Sequence, residues 1–119
     1  MGDPRLRFSV LGSGSGGNCT VIVLNGCPPR VILIDLGLSP RQTRKRLQAV
    51  GLTFGEVTDV VLTHLDSDHF QSGWATALHH ADRVTVRVHQ RHASMLRATG
   101  LHPARMAPMD DDGVVLESE

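Results

Sequence analysis

Apolar and polar positions alternate at the start of the chain. Leu6, Phe8 and Val10 are separated by Arg7 and Ser9, the period-two pattern of a strand buried on one face. The β-branched run Thr20-Val21-Ile22-Val23-Leu24 predicts a second strand, closed by the turn signal Asn25-Gly26 and the pair Pro28-Pro29. Val31-Ile32-Leu33-Ile34 is continuously apolar, as expected of a strand covered on both faces. The period then changes. Ser39 and Pro40 open a helix as N-cap and first-turn residue, Thr43, Leu47 and Val50 share one of its faces, and Gly51 fits its stop. A connector over 52–59 leads to the short apolar run Val60-Val61-Leu62. Beyond it, Phe70–His80 reads as a helix with Trp74, Ala77 and Leu78 available for packing. Val84, Val86 and Val88 then alternate with Arg83, Thr85 and Arg87, a strand with one wet face, and Arg91–Thr99 reads as a helix closed by Gly100. Asp110-Asp111-Asp112 forms an acidic loop before a short expected strand, Val114–Leu116.

Composition narrows the picture little. The 119 residues suit one domain with a modest core. Twelve basic and twelve acidic residues balance, so no net field draws in nucleic acid or membrane. No apolar run approaches the ~18 residues that span a bilayer. The first residues lack the hydrophobic stretch of a signal peptide. Cys19 and Cys27 fit neither a zinc-finger spacing nor a disulfide framework, so a reduced, cytoplasmic setting is the expectation. Arg41, Arg44, Lys45 and Arg46 make the first helix locally basic, which without interleaved aromatic residues reads as a solvated face before a phosphate-backbone contact.

The first strand runs into Gly12-Ser13-Gly14-Ser15-Gly16-Gly17-Asn18, which formally contains G-x-G-x-x-G, and Asp35 lies at a spacing where a ribose-binding acid would stand. That reading requires a helix directly after the glycines, with its N-terminus facing a pyrophosphate. A β-branched strand follows instead, so the dinucleotide reading fails and the loop is expected to join two antiparallel strands.

The densest chemistry lies in Val60–Gly73. The apolar run stops at Thr63 and gives way to His64, Asp66, Asp68 and His69, four potential metal ligands within six residues. Grouped carboxylates repel unless a cation sits among them. In an extended segment His64 and Asp66 point to one side and can share a metal, while the adjacent Asp68 and His69 diverge and suit a second one. The remaining histidines, at 79, 80, 89, 92 and 102, have no ligand spacing and are assigned to the surface or to packing.

This segment resembles the H-x-H-x-D-H signature of the metallo-β-lactamase superfamily, here written H-x-D-x-D-H with Asp66 where most members carry histidine. LGSGSGGN, LIDLGLS and LTHLDSDH, in that order, look most like the branch related to DNA-processing exonucleases and cyclic-phosphate phosphodiesterases. The resemblance runs from about Leu6 to Leu101 and implies an α/β fold, the N-terminal half of a four-layer αββα sandwich, with residues 1–119 forming a partial domain. It also implies two divalent ions, zinc or manganese with iron as a further candidate. His64 and Asp66 would serve the first ion and Asp68 and His69 the second, and Asp68 would also orient the attacking hydroxide on the metals. Asp35 would sit beneath the ligands and orient their imidazoles. Ser13, Ser15 and Asn18, in the loop that lies near the metals in that branch, become substrate contacts.

The implied reaction is metal-assisted hydrolysis, with an anionic phosphodiester, nucleic acid included, as the expected substrate. Members of the family usually run to ~200 residues or more, because the two halves of the sandwich cover each other's inner faces. The second half brings a further histidine, a bridging aspartate and a last histidine, and nothing after Leu101 supplies them. A fragment, a site completed by a dimer or second chain, and an incomplete half-domain that acts as a binding module are the readings that follow.

Overall fold

In the computed structural model, which describes residues 6–113, one mixed sheet organises the chain. Its strands lie side by side in sequence order: β1 (Leu6–Gly12), β2 (Cys19–Leu24), β3 (Arg30–Ile34), β4 (Asp59–Leu62), β5 (Thr85–His89) and β6 (Met106–Met109). β1, β2 and β3 form an antiparallel meander, and β3 through β6 are parallel. Parallel neighbours need crossover connections. These are made by α1 (Pro40–Ala49), by α2 (Trp74–Ala77) with a 3₁₀ turn over Leu78–His80, and by α3 (Ala93–Ala98) after a 3₁₀ turn over Gln90–His92.

α1 begins as its sequence dictates. The Ser39 hydroxyl accepts the Gln42 N–H at 3.2 Å, Pro40 occupies the first turn, and Gly51 just beyond the helix takes φ +82°, open to glycine at little cost. Thr43 and Leu47 are buried against the sheet, whereas Val50, expected on the same face, lies at the helix end and is exposed. The core fills the space between helices and sheet with Val21, Leu33, Leu47, Val60, Trp74, Leu78, Val86, Val88 and Leu96. Trp74 is completely buried, and its indole N–H is satisfied by the Leu38 carbonyl at 2.7 Å.

Two expectations need correction, and one strand was not foreseen. β1 alternates as read, but the covered side is the other one: Leu11 is buried, while Leu6, Phe8 and Val10 are 52%, 67% and 60% exposed. Alternation defines two faces without saying which one meets the helices. The helix expected over Phe70–His80 begins only at Trp74, since Phe70 makes a parallel bridge to Leu36. β6, for which no element was expected, pairs in parallel with β5 at the sheet edge, where its Pro108 is tolerated. The strand expected over 114–116 lies outside the described residues.

The helix-free face of the sheet is apolar towards β1, where Phe8, Ile22 and Ile32 stand abreast. Towards its centre it carries a buried carboxylate. Asp59 is 1% exposed and is held by Arg30 at 2.9 Å and Arg87 at 3.1 Å. Among the described residues, no helix is long and apolar enough to cross a membrane.

Candidate metal centre

The parallel pairing of β3 with β4, in which Ile34 opposes Val61, delivers the ends of both strands to one edge of the sheet. In open α/β sheets this carboxyl edge is where ligands bind. Asp35 leaves β3 there with φ +65°, a left-handed conformation that aspartate and asparagine tolerate better than most residues. Its buried carboxylate reaches across to the first residue after β4. One oxygen accepts the Thr63 backbone N–H at 2.7 Å and the other accepts the Thr63 hydroxyl at 2.7 Å. The hydroxyl has one proton to give, so it accepts in turn from His64 Nδ1–H at 3.1 Å. That network leaves the lone pair of His64 on Nε2, the nitrogen facing away from the strand ends. Thr63 is therefore part of the site, a role that only a hydroxyl next to the first histidine could have signalled.

The segment after Thr63 is not extended as the same-side argument for His64 and Asp66 assumed. Asp66 accepts backbone N–H bonds from His69 at 3.0 Å and Phe70 at 2.8 Å, which closes a tight turn. The turn brings Asp66 and His69 together: Nδ1 of His69 lies 2.6 Å from Asp66 Oδ1 and 3.1 Å from Asp68 Oδ1. Ligand atoms of Asp66, Asp68 and His69 all lie within 4.8 Å of one another. The His64 ring, although exposed, stands 4.8 Å from the His69 ring, and His69 Nε2 lies 4.0 Å from Asp35.

The electrostatics follow from this packing. Burial works to lower the pKa of His69, but the hydrogen bond to Asp66 and the charges of Asp35, Asp66 and Asp68 outweigh it and raise the pKa above the usual 6.5. The pKa of Asp66 is lowered in return, chiefly by its hydrogen bond to His69. Two carboxylates converging on an imidazolium are the arrangement a divalent cation would also satisfy. Carboxylate oxygens with an imidazole are a donor set that fits a divalent cation, and ligand atoms this close could hold one.

The glycine-rich loop is tied to this turn. Asn18 donates to the Asp68 carbonyl twice, from its backbone at 2.7 Å and its side chain at 3.0 Å, and its side-chain amide closes the loop onto Gly14. Gly37 lies between the two segments, and a Cβ there would meet Asp68 O at 1.9 Å and Asn18 N at 2.3 Å. Only glycine allows that approach. Asn18 thus braces the metal turn, while Ser13 and Ser15 are exposed on the loop. The neighbouring Cys19 is no rival ligand: burial first, and then the charge of Asp35, push its thiol up to about 12.

Fold and turn together define a mixed α/β protein with a carboxylate–imidazole cluster at the carboxyl edge of its sheet. The sequence profile of the metallo-beta-lactamase superfamily matches residues 12–118, and the chain belongs to that superfamily. Exodeoxyribonuclease YycJ of Bacillus anthracis is 36% identical to it over 66 residues, 56% of this chain and 24% of that protein. A longer match, 31% identical over 116 residues, covers 91% of this chain and 35% of an acetaldehyde dehydrogenase of Roseiflexus castenholzii. The glycine loop here joins two antiparallel strands and opens no helix, so it does not form the dinucleotide-binding turn that its G-x-G-x-x-G spacing formally allowed.

Among solved structures, the chemotaxis sensor ODP in a peroxy diiron form superposes with a TM-score of 0.70 at 20% identity, over 96% of this chain and 45% of that one. A metallo-beta-lactamase-fold protein of Thermotoga maritima gives 0.60 at 17% identity, over 95% and 63%. The chain thus spans under half the length of the curated relatives and of the first of these structures.

Proposed function

We propose that this chain carries part of the active site of a metal-dependent hydrolase that cleaves phosphodiester bonds. The observation that carries the reading is the convergence of Asp66, Asp68 and His69 within 4.8 Å, braced from below by Asp35 through Thr63. His64, Asp66, Asp68 and His69 are the residues that would hold two divalent ions. Such ions, when bound, supply a nucleophile at neutral pH and polarise the scissile group. The protein's own part is positioning. Asp35 and Thr63 fix the tautomer of His64, the turn places Asp68 beside His69, and Asn18 holds the Asp68 backbone. With such ions bound, Asp68 would be the residue that orients the attacking water.

Support for a phosphodiester substrate comes from the exodeoxyribonuclease relative, whose matched stretch is the better conserved of the two at 36% identity. Ser13 and Ser15, exposed on the loop that Asn18 ties to the turn, are the hydroxyls this reading assigns to an anionic group. The test offers the protein with its metal site completed, and with added manganese, three substrates in parallel: bis(p-nitrophenyl) phosphate, a thioester and a β-lactam. Turnover of the phosphodiester alone supports the reading. Thioester turnover with a silent phosphodiester would reassign the substrate and keep the metallohydrolase.

A second reading, a binding module or a site completed by another chain, draws on the apolar stripe of Leu6, Phe8 and Val10 on the helix-free face. Silence on all three substrates with metal bound would favour it.

A further inference from the structure

At the sheet edge opposite the metal turn, an open cleft of about 370 Å³ lies between α1 and the segment before β5. Its walls come from Arg44 of α1, Phe54 and Gly55 of the 3₁₀ turn over Phe54–Glu56, and His80, Asp82 and Arg83 ahead of β5. The volume falls in the range of small-molecule sites, roughly 300–1,000 Å³.

The two guanidiniums in this wall are held by contacts that leave their charge unanswered. Arg44 lies over the face of the Phe54 ring, 5.4 Å from its centroid. A guanidinium held over a ring is attracted to the π face without spending a hydrogen bond, so its N–H groups stay available for a forked bond to an anion. Arg83 gives one N–H to the Gly55 carbonyl at 3.1 Å, a neutral partner that aims the group without cancelling it. The one carboxylate of the wall, Asp82, is already engaged by Arg105 at 2.5 Å. Among the described residues, neither Arg44 nor Arg83 forms an ion pair. The rest of the wall is apolar, with Val57, Ala77 and Val84 completing it around Phe54.

From this juxtaposition we propose a second binding site, separate from the metal turn, that takes a small organic anion: a phosphate or carboxylate on a compact apolar body. Arg44 and Arg83 clamp the anionic head, and the Phe54 side of the cavity receives the body. The site stands on its own residues and does not depend on the hydrolase reading.

Trp74 is the only tryptophan of the chain, and its ring lies 5.4 Å from that of Phe54, so its fluorescence reports on the cavity wall. Phenyl phosphate, inorganic phosphate and phenol are titrated against the full chain, with calorimetry as the second readout. Phenyl phosphate should bind saturably and shift Trp74 emission, with inorganic phosphate and phenol each much weaker. Arg44→Gln and Arg83→Gln should each weaken phenyl phosphate by about tenfold, the loss of a charge-assisted bond. Both side chains are exposed, so these variants should keep the fold; Arg44→Lys and Arg83→Lys provide a check that retains charge and loses the fork. Arg41→Gln, on the same helix but outside the cavity, and His69→Ala should bind as the parent does. Four results would overturn the site: no saturable binding, undiminished binding in both arginine-to-glutamine variants, inorganic phosphate binding as tightly as phenyl phosphate, or loss of binding in His69→Ala.

Discussion

Asp35 grips Thr63 with both oxygens of its carboxylate, one on the backbone N–H and one on the hydroxyl, each at 2.7 Å. The grip links the ends of two adjacent parallel strands, and it reaches His64 through the hydroxyl. A residue of this kind touches no substrate, yet it sets which nitrogen of the first histidine can bind a metal.

Asp35→Asn tests that role. Asparagine accepts the positive φ of this position, so the backbone is undisturbed, but one oxygen becomes an amide NH2 group, which donates and cannot accept from Thr63. The expected outcome is a loss of metal affinity of about 10–100-fold, the usual cost of losing a partner of a metal-bound imidazole. Competitive metal titration beside a thermal melt separates this from unfolding. An unchanged affinity would mean that Asp35 is only a strand-end staple.

Gly37→Ala is expected to do more damage than its size implies. The new methyl would lie 1.9 Å from Asp68 O, so the turn and the glycine loop must part. Both Asn18 bonds to Asp68 are then broken, and each is worth about 1 kcal/mol net. Hydrogen exchange should show faster exchange at the Asn18 amide, with protection of the core strands Val60 and Val86 retained.

Asp66→His should raise zinc affinity relative to manganese, because imidazole is softer than carboxylate and carries no charge. Competition between the two ions for the parent and the variant measures the shift. An unchanged preference would place Asp66 outside the ligand set.

The pH dependence follows from the metal-free cluster. His69 titrates above 6.5 in the folded chain, so its pairing with Asp66 adds stability that is fully present below 6.5 and is lost as pH rises through the raised value. Asp66 has a folded pKa below 3.8, so its contribution is present above 3.8 and is lost as pH falls through the lowered value. Metal binding runs the other way for His69, since the ion must displace its proton, and affinity should rise across the same interval. Proton NMR of the His69 ring, with and without zinc, reads both effects. A ring that titrates at or below 6.5 without metal would contradict the cluster.

Much of this was legible in the sequence. H-x-D-x-D-H after Val60–Leu62, the Gly-Ser-Asn loop and the aspartate after Val31–Ile34 name the three segments that meet at the sheet edge. Their meeting is a consequence of the β3–β4 register, which no local pattern encodes. The turn that pairs Asp66 with His69 depends on backbone bonds to Asp66 O, so an argument from strand geometry could not anticipate it. The exposure of Phe8 was hidden for a different reason: an alternating strand has two candidate inner faces, and the helices that choose between them come later in the chain.

The most direct test of the central claim is the metal content of the folded chain after equilibrium dialysis against zinc or manganese, compared with the His64→Ala/His69→Ala double variant. The parent should retain metal weakly, below one ion per chain, because these residues are only part of the expected ligand set, and the double variant should retain none. Equal metal in the two proteins would show that the cluster after β4 is not the metal centre.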